Sequence, residues 1–146
     1  LSRLENAGLV ESRQVGKSRV VNALVHTPVG QALQQLMYVT YGPVPALREA
    51  LAQVPRLEAA AIYGSWAKRR SGEPGKVPHD LDVLAIGTPS RHALYEAIDD
   101  VEQRLGLEIN VKKLSREGWN SDNPFVKTVR SRPITPLFGD LGDNDA

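Results

Sequence analysis

The sequence predicts a small α/β (α+β) domain built on a mixed β-sheet, and three observations predict it. A short apolar run, LEAAAIYG, ends in glycine and lacks polar alternation, as a buried strand does. A second such run, DLDVLAIG, is followed by Leu94, Ile98, Val101 and Leu105 at helical spacing, and then by the alternating LEINVKKL. With the helical GSWAKRR between the first two runs, the order becomes strand, helix, strand, helix, strand, which suits a small sheet with helices packed on it.

The elements before this core follow in order. Leu1 and Leu4 end an amphipathic helix that the Ala7-Gly8 pair stops, glycine standing in the C-terminal capping position. Leu9 to Gln14 alternates weakly, Gly16-Lys17-Ser18 is turn chemistry, and Arg19 to Leu24 is rich in valine, so the pair reads as a β-hairpin. Thr27-Pro28 starts a helix, with threonine as cap and proline in the first turn, and Val29, Leu33, Leu36 and Met37 recur at helical spacing up to Tyr41-Gly42-Pro43. A shorter helix is expected from Pro45, with Leu47 and Leu51 on one face. Beyond the core, Trp119, Phe125, Val126 and Val129 fall on short helices, Trp119 and Phe125 as core or interface anchors. Pro133 and Pro136 then precede an aspartate-bearing tail expected to be disordered.

Composition narrows the chemistry. The chain has 146 residues, 41% hydrophobic and 24% charged, with 18 basic against 17 acidic side chains, room for one domain and a fragment of another. The absence of cysteine excludes a disulfide scaffold, a thiolate metal site and a cysteine nucleophile. No stretch approaches the roughly 18 consecutive apolar residues of a membrane span, and LSRLENAGLV carries charges where a signal peptide is apolar. A soluble, cytoplasmic protein is expected. The chain opens at Leu1 inside a helix, so an upstream portion is expected too. Net charge of +1 gives no global argument for nucleic acid; that argument must come from local clusters.

The chemistry concentrates at Gly64-Ser65, at the end of one strand, and Asp80-Leu81-Asp82, at the start of the next. Residues two apart in a strand share a face, so Asp80 and Asp82 aim together while Leu81 turns to the core. Parallel carboxylates at a strand edge are costly unless a cation joins them, and a hard divalent ion such as Mg²⁺ takes oxygen ligands while leaving positions for phosphates. Gly64 lets backbone approach a ligand, and Ser65 adds a hydroxyl and an N–H at a helix start, where anions are favoured. Lys68, Arg69 and Arg70 read either as phosphate contacts or as the wet face of that helix, and Lys76 lies in the following loop.

The run YGSWAKRRSGEPGKVPHDLDVLAIG, within positions 57–114, resembles the polymerase-β-like (minimal) nucleotidyltransferase superfamily, whose signature is a strand ending in Gly-Ser, a helix, and a strand beginning Asp-x-Asp. The resemblance implies that Asp80 and Asp82 bind one or two Mg²⁺ ions, or Mn²⁺, and that Gly64, Ser65, Lys68 and Arg69 contact the phosphates of a nucleoside triphosphate. It also implies a third carboxylate on a later strand. Glu108 fits that place as ligand and base, and Asn110 shares its face. Upstream, LSRLENAGLVESRQVGKSRVVNA resembles the recognition-helix end and β-wing of an ArsR-like winged helix-turn-helix regulator, with Arg13, Lys17 and Arg19 as DNA-backbone contacts.

Together these resemblances imply a bacterial regulator in which positions 1–26 are the C-terminal part of a winged helix domain. Positions 27–55 would be linking helices able to serve a homodimer, 56–136 the nucleotidyltransferase domain and 137–146 a disordered tail. The expected activity is transfer of a nucleoside monophosphate from a triphosphate to an acceptor, either a protein hydroxyl or an RNA end. The alternative is a transcriptional regulator that only binds or senses the nucleotide.

Overall fold

The computed structural model describes residues 1–73 and 78–142; at position 35 and positions 38–41 it describes the backbone alone. The chain divides into two compact units, Leu1–Gly42 and Pro43–Ala146.

In the first unit, helix α1 (Ser2–Asn6) leads into an antiparallel hairpin of β1 (Val10–Val15) and β2 (Ser18–Ala23), paired from Val10↔Ala23 to Val15↔Ser18 across a two-residue turn at Gly16 and Lys17. A polar clasp fastens α1 to the hairpin. The Arg19 guanidinium donates to the Glu5 carboxylate at 2.7 Å and to the Ser12 hydroxyl at 2.8 Å, and Ser12 donates in turn to Glu5. The Ser12 hydroxyl first, and then Arg19, hold the Glu5 carboxyl below its ordinary range. Helix α2 (Pro28–Tyr41) starts as the sequence predicts, the Thr27 hydroxyl accepting the Gly30 N–H at 3.1 Å and Pro28 filling the first turn.

The second unit comprises α3 (Pro43–Ala52), β3 (Leu57–Tyr63), α4 (Gly64–Arg70), β4 (Asp80–Gly87), α5 (Arg91–Leu105), β5 (Glu108–Leu114), α6 (Arg116–Trp119), α7 (Pro124–Arg130) and β6 (Thr135–Phe138). Its sheet runs β5-β4-β3-β6, with β3 antiparallel to both β4 and β6 and β4 parallel to β5, so it is mixed as expected. The parallel β4–β5 pair needs a crossover, and α5 supplies it. Ser90 caps its start by accepting the Ala93 N–H, and Gly106 ends it in the left-handed conformation at φ +63°.

Both faces of the sheet are covered. On one, Ala59, Ala61, Leu84 and Ile86 pack against Trp119, Val126, Val129 and Leu141. The alternate residues Ile62, Leu81, Val83 and Ile109 are buried as well, while α3 and α5 pack together and bury Leu47, Leu51, Leu94, Ile98 and Val101. The Trp119 indole N–H donates to the Leu141 carbonyl at 2.7 Å, and the Arg130 guanidinium lies 4.6 Å from the Trp119 ring centroid.

Two boundaries differ from the sequence expectation. The 27–55 linker splits at Gly42, because Leu47 and Leu51 are fully buried in the second unit and Arg48 donates to the Leu137 carbonyl at 2.6 Å. The tail expected to be disordered from position 137 instead continues β6, with Leu137 and Leu141 buried. Pro136 is compatible with this strand because β6 lies at the sheet edge, where a missing N–H is tolerated. Positions 143–146 of that tail lie outside the described residues. Among the described residues no helix is long and apolar enough to cross a membrane.

Candidate active site

The site is built at one end of the sheet by strand register. Tyr63, the last residue of β3, pairs with Asp82; on the other side of β4, Asp80 pairs with Glu108 and Asp82 with Asn110. Paired residues share a face, so Tyr63, Asp80, Asp82, Glu108 and Asn110 lie on the face that α6 and α7 cover further along. The apolar row Ala61, Leu84 and Ile86 thus gives way, at the strand ends, to carboxylates.

Gly64 makes this junction possible. Its φ of +74° turns the chain from β3 into α4, and a Cβ at this position would overlap the Asp82 Oδ2 atom. The Asp82 carboxylate therefore occupies the space that a side chain on residue 64 would need. Asp82 is half-buried and its carboxyl is pushed up, first by burial and then by the charge of Asp80, against a lowering hydrogen bond from Asn110. Asn110 Nδ2 also donates to Asp80 Oδ2 at 3.2 Å. Burial and the Asp82 charge together raise the Tyr63 phenol.

The other expected site residues are placed less uniformly. Ser65 is exposed on the first turn of α4; Lys68 and Arg69 follow one turn on and are half-buried. Arg69 donates to the Glu73 carbonyl at 2.7 Å, supporting the exit of α4, and Arg70 lies 5.7 Å from the Trp66 ring centroid. Lys76 lies outside the described residues. Glu108 is exposed at the start of β5 beside Asp80, but it does not complete a three-carboxylate cage. Among the described residues no three His, Cys, Asp or Glu side chains converge to hold a metal. The reason is register: Glu108 stands at the outer end of the pair, and Asn110 takes the place opposite Asp82.

Two carboxylates on adjacent same-face positions, one of them half-buried, beside a backbone with no side chain, nevertheless suit a hard divalent cation that completes its shell from water and phosphate oxygens. Sequence reasoning missed one border of the site. Tyr63 meets Phe125 edge-on, with ring centroids 5.8 Å apart, and Lys112 Nζ lies 5.5 Å from the Phe125 centroid. Nothing in the sequence around Phe125 sets it apart from an ordinary core aromatic, and only its position beside Tyr63 brings it to the site.

No protein-family model matches the sequence, and no curated protein matches it. Solved structures do. A toxin–antitoxin structure with AMP-PNP is similar at 14% identity and a TM-score of 0.50, covering 70% of this chain and 78% of that one. A tri-AMPylated Shewanella oneidensis HEPN toxin in complex with MNT antitoxin gives 18% identity, a TM-score of 0.43, and 73% of each chain. The mixed α/β architecture of the present chain is that of the nucleotidyltransferase fold.

Proposed function

We propose that the second unit transfers a nucleoside monophosphate from a nucleoside triphosphate to an acceptor hydroxyl. The observation that carries the proposal is the junction at which Gly64 leaves room for Asp82 while Asp80 shares its face. Asp80 and Asp82 would hold Mg²⁺ or Mn²⁺, one ion or two. A divalent ion bound there supplies charge neutralisation and polarisation at the phosphates. The exposed Ser65 hydroxyl and the Gly64 backbone would orient the phosphate tail, with Lys68 adding positive charge; α4 has only seven residues, so these groups act locally rather than through a long helix dipole. The acceptor oxygen forms a bond to the α-phosphorus, the bridge to the β-phosphate breaks, and pyrophosphate leaves. Glu108, exposed beside Asp80, would accept the hydroxyl proton.

The similar toxin–antitoxin structure with AMP-PNP supports a nucleotide as ligand and a protein as partner. A second reading, nucleotide binding without transfer, is favoured by one observation: a neutral amide, Asn110, stands opposite Asp82. Incubation with α-labelled nucleoside triphosphates, Mg²⁺ and separated protein and RNA fractions of a bacterial extract is expected to label an acceptor covalently. Calorimetric Mg²⁺-dependent binding with no covalent label in any fraction would sink transfer and leave the sensing reading.

The first unit we assign to a DNA-binding regulator as the end of a winged helix domain, supported by a hairpin on which Arg13 and Lys17 are exposed. The exposed apolar Val29, Leu33 and Met37 of α2 would suit a homodimer. If the hairpin meets DNA phosphates, Arg13→Ala with Lys17→Ala should flatten the dependence of log affinity on log salt by about one for each phosphate no longer neutralised. Arg19→Ala acts differently, because it also opens the clasp to Glu5 and Ser12. An unchanged salt slope in the double variant would remove both residues from the interface.

A further inference from the structure

We infer that Asn110 is a positioning residue that places a neutral amide, not a further carboxylate, opposite Asp82 and against Asp80, so that the site takes its divalent cation chiefly as a metal–nucleotide complex. This rests on the nucleotide-site reading above. Asn110 meets both carboxylates: its amide nitrogen donates to Asp80 Oδ2 at 3.2 Å, and its strand position stands opposite Asp82. Its place comes from the sheet, since the parallel register sets it directly opposite Asp82, on the shared face.

A carboxylate in this place would repel its two neighbours in the absence of metal and would bind a cation strongly by itself. A neutral amide does neither. It donates to Asp80 before any cation arrives, which offsets the repulsion of two close carboxylates, and its carbonyl oxygen remains a potential oxygen ligand. With only two carboxylates between the cation and the sheet, and Glu108 at the outer end of the register, the remaining attraction for the cation must come from the phosphates of the incoming nucleotide.

The test uses the full chain and Mn²⁺ as probe, with free ion measured by electron paramagnetic resonance, first alone and then with ATP. Asn110→Asp is expected to tighten binding of Mn²⁺ alone at least about tenfold, because a third full charge within about 5 Å of the cation exceeds that factor even when partly screened. It should also lower the melting temperature in EDTA, with recovery on adding Mn²⁺. Asn110→Leu, similar in shape but without the amide, should weaken binding of Mn²⁺–ATP several-fold while leaving the melting temperature in EDTA the same or lower. Asp82→Asn is the reference and should abolish Mn²⁺ binding. If both Asn110 variants stay within twofold of the parent while Asp82→Asn abolishes binding, the role of Asn110 is overturned and the site stands. If Asp82→Asn changes nothing, the site reading falls and this inference falls with it.

Discussion

Asp82→Asn is expected to raise stability at pH 7 in protein freed of divalent cations and, with Mg²⁺ restored, to lower nucleotide transfer by at least about 10²- to 10³-fold, the range seen when a single preorganised charge-stabilising group is lost. The two effects have one origin. The Asp82 carboxyl is pushed above its ordinary value of 3.8 by burial and by the charge of Asp80, so the folded chain binds this proton more tightly than the unfolded chain. The favourable linkage is fully present below the unfolded value and disappears as pH rises through the folded one. At neutral pH the ionised pair therefore weakens the metal-free fold. Urea denaturation in EDTA from pH 3.8 upward should show the parent losing stability relative to Asp82→Asn as pH rises. A variant that is less stable than the parent at pH 7 would show that Asp82 is held by favourable contacts. Asp80→Ala with Asp82→Ala should leave no transfer above background, and transfer surviving in that variant would locate the chemistry elsewhere.

What the sequence discloses, and what it hides, follows from how local each feature is. Gly64-Ser65 and Asp80-Leu81-Asp82 are readable because each is a contiguous motif whose strand or helix context lies within a few residues. The cap at Thr27 is readable for the same reason: the hydroxyl and the N–H it accepts are three residues apart. β6 is hidden because Pro133 just before it and Pro136 within it read as breakers, and only the edge position reconciles Pro136 with a strand. The allegiance of α3 depends on burial of Leu47 and Leu51 and on the bond from Arg48 to Leu137, 89 residues away. The choice between Glu108 and Asn110 is of the same kind. Period-two alternation puts both on one face, but which of them stands opposite Asp82 is fixed only by the register of two strands about 30 residues apart.

Gly64→Ala should uncouple fold from site more sharply than any other single methyl group. Two costs meet there. An alanine at φ +74° occupies the left-handed region, a strain of about 1–3 kcal/mol. Its Cβ would also overlap Asp82 Oδ2, so the carboxylate must rotate away from the place it shares with Asp80 and Asn110. Gly106→Ala separates the two. Gly106 has a similar φ of +63°, at the end of α5, yet a Cβ there meets nothing within 4 Å. Both variants should lose comparable stability from backbone strain. Only Gly64→Ala should lose binding of the Mg²⁺–nucleotide complex, by at least about tenfold in calorimetry, since displacing one of two carboxylate ligands removes a full charge from the cation's shell. Equal binding in the two variants would show that the Asp82 carboxylate can move without consequence, and the junction of Gly64 with the carboxylate pair would then no longer support a nucleotide site.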